Sequence, residues 1–308
     1  MDIIFLKPIP RSALWGGDVF KQYFNYKDFK DDVGQSWCIT AQDEINASEV
    51  LNGEYQGKTL YDIWLDHPEY FNSKYNDFPF IIGILAPIAD LSIQIHPDDE
   101  YARKLGYKFG KNEAWYFIEA ADNSELVVGT NAKNKEELEQ LINEDRWDEI
   151  IKKASIKKDD FVNIKAGTLH ALPKDVIIYE VQRGSDVTYR FYDYKRKDNN
   201  GNYRELHLKQ AIEVLKFDSN IEIPERIIEE YPNYTKTTLI ANDEYKVTKL
   251  DIDGRINYPI NNYELFTCIK GEGIINNQKI KKGDSCLIPA TINELNIEGN
   301  LTILTTKE

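Results

Sequence analysis

Two stretches of the chain repeat each other, and this internal repeat restricts the fold more than any other feature of the sequence. Residues 156–171 read IKKDDFVNIKAGTLHA and residues 280–295 read IKKGDSCLIPATINEL, with six identities at a spacing of 124. Earlier in the chain, residues 112–120 (NEAWYFIEA) resemble residues 263–271 (YELFTCIKG). Two echoes in the same order predict two related β units in one chain, the alternative being chance similarity between hairpins.

The rest of the sequence is dominated by the pattern of short strands. Residues 78–129 are rich in Ile, Val, Phe and Tyr, and turns that contain Gly or Asp separate the later apolar runs. Short strands in duplicate predict a mainly β protein made of two small β-barrels or sandwiches. We place the first unit at residues 1–233 and a second, degenerate unit without a metal site at residues 234–308.

Two segments of the first unit have helical spacing instead. Residues 134–155, NKEELEQLINEDRWDEIIKKAS, put apolar residues on one side and charged residues on the other. Residues 204–216, RELHLKQAIEVLK, show the same period. We expect a helical insert at about 134–155 and a further helix at about 204–216, both attached to the first unit.

Composition excludes several classes of function. The 308 residues include 38 basic and 52 acidic side chains, so a broad surface for nucleic acid or anionic membrane is not expected. The three cysteines lie far apart, which argues against a disulfide framework and fits a reducing compartment. Without a secretory signal or a run of roughly 20 apolar residues, we expect a cytoplasmic protein, monomeric or homodimeric.

The segment LSIQIHPDDE, residues 91–100, alternates polar and apolar side chains. Residues two apart in a strand share a face, so Ser92, Gln94 and His96 should project together, opposite one leucine and two isoleucines. Pro97 ends regular pairing just after the histidine. We expect the apolar face to pack on a hydrophobic layer and the polar face to line a cavity.

Two further residues extend this polar face into a candidate metal site. Glu113 leads into an apolar strand, where a buried carboxylate needs a partner or a cation. His170 follows a glycine turn and precedes another apolar strand. With His96 they offer two imidazoles and a carboxylate, and Gln94 adds an amide oxygen. This donor set suits Zn²⁺ with an open position and equally a ferrous ion, although each histidine could instead be a hydrogen-bonded core residue.

Two cations are candidates for binding an anionic group. Arg190 lies among aromatic residues in the alternating stretch GSDVTYRFYDYKRK and is suited to a phosphate or a developing oxyanion. Its alternative role is a cross-strand salt bridge. Lys111 stands two residues before Glu113, and its alternative is a solvated position in a turn. As a base, Lys111 would need a lowered pKa, and Asp193 is a further candidate on the opposite face from Arg190.

These motifs, together with LWGG, GQSWCIT, NGEYQGKTL and KEELEQLINEDRWDEII, resemble the short bacterial form of the type I mannose-6-phosphate isomerases over nearly the whole chain. The resemblance implies that the two β units are cupin (jelly-roll-like) β-barrels, the second of them degenerate. It also implies an enzyme that interconverts mannose 6-phosphate and fructose 6-phosphate through an enediol, using one divalent metal ion, with zinc favoured. Its implied metal ligands are Gln94, His96, Glu113 and His170. Its implied catalytic residues are Arg190 and Lys111, and the residues implied to contact substrate are Ser92, Lys111 and Arg190.

Two positions depart from the pattern of that family. Gly83 stands where the apolar segment after FP usually has a lysine, and Gln35 stands where the GQSW motif usually has a carboxylate. Because this cation is missing, the function could also be isomerisation of another sugar, including an unphosphorylated one. A non-catalytic sugar-binding cupin and an iron dioxygenase also remain open, although Gln94 as an extra ligand argues against the dioxygenase.

Overall fold

The computed structural model describes residues 3–198 and 200–308, and within these ranges the chain forms nineteen strands and six α-helices. The strands, β1 to β19 in chain order, are Ile4–Leu6, Ile9–Gly17, Val33–Thr40, Phe80–Leu85, Ile93–Ile95, Glu113–Ala120, Glu125–Thr130, Ile151–Ser155, Phe161–Ile164, His170–Ala171, Val176–Arg183, Tyr189–Tyr192, Ile227–Tyr231, Tyr234–Ala241, Lys246–Pro259, Glu264–Ile275, Gln278–Lys281, Ser285–Ile288 and Glu294–Lys307. The helices, α1 to α6, are Val19–Phe24, Leu60–Asp66, Asp99–Lys104, Lys135–Asn143, Trp147–Ile150 and Leu208–Val214, with short 3₁₀ turns at Gly53–Tyr55 and Pro68–Tyr70.

The strands form three sheets. The first unit consists of a six-stranded sheet in the order β2-β3-β4-β11-β6-β9 and a five-stranded sheet in the order β12-β5-β10-β7-β8. Trp115 and Ile178 of the six-stranded sheet pack with Leu126 and Val128 of the five-stranded sheet, so the two sheets face each other. The mainly β, cupin-like fold is therefore confirmed. Closed barrels are not formed, because no ladder joins these two sheets within the described residues and side-chain packing holds them together.

The second unit is built on the remaining, eight-stranded sheet. Its order is β1-β18-β16-β19-β15-β14-β13, with β17 paired to β16. The two copies of the sequence repeat have the same local structure at one turn. Asp160 accepts a hydrogen bond from the backbone N–H of Lys157 at 2.9 Å before β9, and Asp284 accepts one from Lys281 at 2.9 Å before β18. The same aspartate thus closes the same turn in both copies.

A helical layer covers the outer face of the five-stranded sheet. Leu138 and Leu141 of α4 and Ala211 of α6 pack with Ile93 and Ile95 of β5. The predicted helix at 204–216 is confirmed as α6. The helical prediction for 134–155 is wrong at its end, because residues 151–155 form strand β8, which pairs with β7 instead of continuing the helix.

The two units share a hydrophobic core. Ile82, Ile84 and Tyr179 of the six-stranded sheet belong to the same buried cluster as Leu265 and Leu304 of the eight-stranded sheet. Strand β1 crosses between the units, since it pairs with β18 near the other end of the chain. Strand β13 also belongs to the eight-stranded sheet. The domain boundary at residue 233 stays a prediction. Among the described residues, no helix is long and apolar enough to span a membrane.

Candidate active site

Three polar side chains converge between the two sheets of the first unit. His96 follows the end of β5, His170 opens β10, and Glu113 opens β6 in the opposite sheet. The Nε2 atom of His96 lies 3.3 Å from Glu113 Oε1, and the Nε2 atom of His170 lies 3.4 Å from Glu113 Oε2. All three side chains are at most 1% exposed. The candidate ligand atoms lie within 4.8 Å of one another, a spacing that suits one metal ion.

The hydrogen bonds around the histidines fix which nitrogen is free. The Nδ1 atom of His96 donates to the carbonyl oxygen of Val187 at 2.9 Å, and that of His170 donates to Thr168 O at 2.8 Å. A carbonyl oxygen only accepts, so Nδ1 carries the proton and each Nε2 presents a lone pair. Both Nε2 atoms and Glu113 Oε2 have no hydrogen-bond partner within the described part of the chain. Acceptors that face one another in a buried site fit a divalent cation between them.

Charges in the site follow from burial and from Lys111. Burial lowers the pKa of His96 to about 4, with a further contribution from Lys111, so the imidazole is neutral near pH 7. Burial alone would raise the pKa of Glu113, but Lys111, with its Nζ 3.1 Å away, and the histidines bring it below its usual value. Burial alone would lower the pKa of Lys111, but the negative charges of Glu113 and Asp186 outweigh that effect. The pKa of Lys111 is therefore raised, the opposite of what a base requires.

Gln94 and Arg190 lie on the same face as His170. In the ladders β10-β5-β12, Gln94 is the partner of both His170 and Arg190, and directly paired residues point to the same side. Ser92, buried two residues earlier, precedes the strand. The predicted alternation fails at Leu91, which packs in the cluster between the sheets, because β5 begins only at residue 93.

Arg190 is held without an ion pair among the described residues. Its Nη1 atom donates to the carbonyl oxygen of Glu205 at 2.8 Å, while its buried Nε has no partner in this part of the chain. Asp193, the alternative base, is bound by two arginines: Arg204 donates two hydrogen bonds of 2.6 and 2.7 Å, and Arg196 donates two more of 2.5 and 3.2 Å. This carboxylate is a structural anchor for two arginines.

Glu180 is a site residue that the sequence interpretation missed. In β11 it pairs with Trp115 of β6 and with Gly83 of β4, so it faces the same interior as Glu113. Its carboxylate accepts hydrogen bonds from Trp115 Nε1 at 2.9 Å and Gln35 Nε2 at 3.0 Å. Burial, and then Glu113, raise its pKa to about 8. A glutamate within the apolar run VIIYEV was the signal, by the reasoning applied to Glu113.

A cavity of about 330 Å³ lies beside this centre. Asp186 on its wall is 3.8 Å from Lys111 Nζ, which connects the cavity to the three converging residues. On another part of the wall, the guanidinium of Arg11 stacks 3.6 Å above the Trp37 ring. The buried Nε1 of Trp37 has no hydrogen-bond partner within the described residues. Trp37 is the ladder partner of Gly83.

The second unit has lost the equivalent centre. Glu264 of β16 is paired with Ile288, in the register in which Glu113 is paired with Ile164. It is fully buried and accepts a hydrogen bond from Lys307 Nζ at 2.5 Å. Within residues 3–198 and 200–308, the first unit's centre is the only group of at least three His, Cys, Asp or Glu side chains arranged to hold a metal ion.

The two facing sheets and their buried His–Glu–His centre define a cupin-like protein with a candidate metal site. Residues 4–135 match the family described as phosphomannose isomerase type I, catalytic domain, and residues 235–307 match mannose-6-phosphate isomerase, cupin domain. The chain is 37% identical to mannose-6-phosphate isomerase ManA of Bacillus subtilis, with 96% of each chain covered. It is 34% identical to the mannose-6-phosphate isomerase of Streptococcus mutans, covering 98% of this chain and 96% of the relative.

A solved structure agrees with these relatives. The crystal structure of the mannose 6-phosphate isomerase from Bacillus subtilis superposes with a TM-score of 0.95 at 33% identity, with both chains fully covered. The chain belongs to the type I mannose-6-phosphate isomerase family. The resemblance proposed from the sequence motifs is thereby confirmed.

Proposed function

We propose that the chain isomerises mannose 6-phosphate to fructose 6-phosphate with one divalent cation held by His96, Glu113, His170 and Gln94, and that zinc is the first candidate. The observation that carries this proposal is the set of three buried acceptor atoms that face one another without a hydrogen-bonding partner among the described residues. The Nδ1 hydrogen bonds orient both imidazoles toward that point. Family membership and the three free cysteines support a role in cytoplasmic sugar metabolism.

The reaction moves a proton between C1 and C2 of the open-chain sugar. A bound divalent cation would polarise the carbonyl and the adjacent hydroxyl oxygen. Glu180 is the carboxylate that we assign as the proton carrier, because it is buried on the same interior face and its pKa of about 8 suits transfer near neutral pH. Its hydrogen bonds to Trp115 and Gln35 hold it in one orientation.

Two cations would stabilise the charge that develops on the sugar oxygens. Lys111 is held as an ammonium by Glu113, so we assign it as a hydrogen-bond donor to the oxyanion and not as the base. Arg190, beside Gln94 in the ladder and with a free Nε, is suited to the same charge from the neighbouring strand. Ser92, buried near the start of β5, completes the wall that we assign to substrate contact.

The phosphate needs cationic or N–H donors beyond the reacting carbons. Arg11 provides a cation in the wall of the adjoining cavity. Trp37, in the same wall, provides an N–H donor, Nε1, which has no hydrogen-bond partner among the described residues. We assign this cavity to the phosphate end of the substrate, where Arg11 replaces the cation missing at Gly83. The second candidate function, isomerisation of an unphosphorylated sugar, is favoured only by Gly83 itself.

The test measures metal content and turnover together. Purified protein is assayed for mannose 6-phosphate conversion before chelation, after chelation, and after addition of Zn²⁺, Mn²⁺ or Co²⁺, with free mannose as the alternative substrate. We expect one metal per chain, loss of turnover on chelation and recovery with a divalent ion. His170→Ala should lose both metal and activity, whereas His67→Ala, outside the centre, should keep both. Metal-replete protein without turnover of mannose 6-phosphate would contradict the proposal.

A further inference from the structure

Asn112 stands between Lys111 and Glu113, in a segment whose hydrogen bonds connect it to the two other segments that carry proposed metal ligands. The backbone N–H of Lys111 donates to Pro97 O at 3.0 Å, directly after His96. The Oδ1 atom of Asn112 accepts from the N–H of Ala166 at 2.8 Å, on the loop that leads to His170. The Asn112 side chain therefore joins the segment of Glu113 to the loop of His170, and its neighbour Lys111 joins the same segment to that of His96.

The side-chain amide of Asn112 donates its second hydrogen bond to the other unit. Glu244, in the turn between β14 and β15, accepts from Asn112 Nδ2 at 2.8 Å. Its other oxygen lies 3.7 Å from Nε of Arg183, which is 3% exposed and has both Nε and Nη1 without hydrogen-bond partners among the described residues. The N–H of Arg183 in turn donates to Asn112 O at 3.0 Å. Glu244 thus faces both the amide and the buried guanidinium next to it.

The turn that carries Glu244 is held firmly. Asn242 Oδ1 accepts from the backbone N–H groups of Glu244 and Tyr245, both at 2.9 Å. Tyr245 is fully buried, and its hydroxyl donates to Asn163 Oδ1 at 2.8 Å in the first unit. Because local bonds and a buried anchor fix the turn, the Glu244 carboxylate reaches Asn112 from a defined position.

We propose that Glu244 is a positioning residue for the catalytic centre, and that the second unit contributes to the reaction by holding Asn112 through it. The inference rests on the proposed function, since it concerns the same metal ligands. Without the carboxylate, the Asn112 amide loses one of its two fixed hydrogen bonds, and Asp99, at 3.9 Å, is the one counter-charge that Arg183 keeps within residues 3–198 and 200–308. The segment 111–113 would then adopt several orientations, with weaker metal binding as the consequence.

The experiment compares Glu244→Ala with Glu244→Gln in the full chain. Affinities for Zn²⁺ and Co²⁺ are measured by competition with a chelator, and turnover of mannose 6-phosphate is measured at saturating metal. We expect Glu244→Ala to weaken metal binding by about 10- to 100-fold, as is usual when a residue that orients metal ligands is lost. Glu244→Gln should bind within about threefold of the unaltered chain, because its amide oxygen still accepts from Asn112.

Tyr245→Phe is the matched control. It removes the hydrogen bond to Asn163 from the same turn without touching Asn112, so it should lower thermal stability and leave metal affinity unchanged. The inference is overturned if Glu244→Ala binds metal as tightly as the unaltered chain, or if Tyr245→Phe weakens binding equally. An unaltered chain that binds metal but does not isomerise the sugar would overturn the proposed function alone, because the affinity comparison needs no substrate.

Discussion

Glu113 and Glu264 occupy the same register in the two repeats, but the groups around them differ. Each is paired with the last isoleucine of the adjacent strand, Ile164 in the first unit and Ile288 in the second. Glu113 faces two imidazole nitrogens that carry lone pairs and the ammonium of Lys111, whereas Glu264 accepts a hydrogen bond from the ammonium of Lys307. The first unit is thus proposed to add a metal ion beside its lysine, whereas the second unit has a lysine without imidazoles.

Lys307 is important for stability because it is the counter-charge of Glu264. Lys307→Met should reduce the free energy of unfolding by about 3 kcal/mol, because it leaves the fully buried Glu264 without its counter-charge. Urea denaturation measures the loss. Adding Glu264→Gln to Lys307→Met should recover most of it, and an equally unstable double variant would contradict the pairing.

Glu180→Gln tests the assignment of the proton carrier. The amide is nearly isosteric and keeps a hydrogen-bond acceptor for Trp115, but it cannot take a proton from carbon. We expect kcat to fall by about 10² to 10⁴ with KM and metal content little changed. Exchange of the C2 proton with deuterated solvent, followed by NMR, should slow to the same extent. Gln35→Leu, which removes only a neighbouring hydrogen bond, should cost far less, and equal losses would contradict the assignment.

Arg11→Met tests the proposed phosphate end. Loss of the guanidinium above Trp37 should raise KM for mannose 6-phosphate by about tenfold or more while kcat stays within a fewfold, because the group is remote from the reacting carbons. Lys108→Met is the control, since Lys108 lines the same cavity but is paired with Asp77. A KM unchanged by Arg11→Met would remove this cavity from phosphate binding.

Asp193→Asn should give a pH-dependent loss of stability. Burial would raise the pKa of Asp193, but hydrogen bonds from Arg204 and Arg196 outweigh burial and lower it. A lowered folded-state pKa stabilises the protein at pH values above the unfolded value of about 4, and this stability is lost as pH falls through the folded value. Urea denaturation should show a loss of about 2 kcal/mol at pH 7 that shrinks toward pH 3. An equal loss at both pH values would contradict the charged interaction.

The sequence alone predicts those site residues whose position follows from the pattern of their neighbours in the chain. Alternation in LSIQIH puts Gln94 on one face, and the ladder partners His170 and Arg190 confirm that this face is shared. Glu113 is identified because a buried carboxylate needs a cation, and His96 and His170 meet it. Helix α6, within the predicted segment 204–216, and the aspartate turns of the repeat are formed by residues close together in the chain. The sequence pattern therefore predicts them.

The features that were missed depend on contacts between distant segments. The apolar run VIIYEV signals that Glu180 is buried, but only the register of β11 against β4 and β6 shows that it faces the same interior as Glu113. The contact of Glu244 with Asn112 joins residues 132 positions apart, and no spacing rule connects them. Residues 151–155 continue a helical period in sequence, but pairing with β7 makes them a strand. In each case tertiary hydrogen bonding overrides the local pattern.

Strand β1 illustrates a cost of building one enzyme from two repeats. Its residues Ile4–Leu6 find their hydrogen-bonding partners at Ser285–Leu287, about 280 positions along the chain. During synthesis by a ribosome, this strand can pair with residues 49–51 through one edge, but its other edge has no partner until the second repeat has emerged. Closing so long a loop also makes the pairing with β18 a slow, late event in folding. The edge of the eight-stranded sheet is thus completed by the first residues of the chain, and only a chain with both repeats can form it.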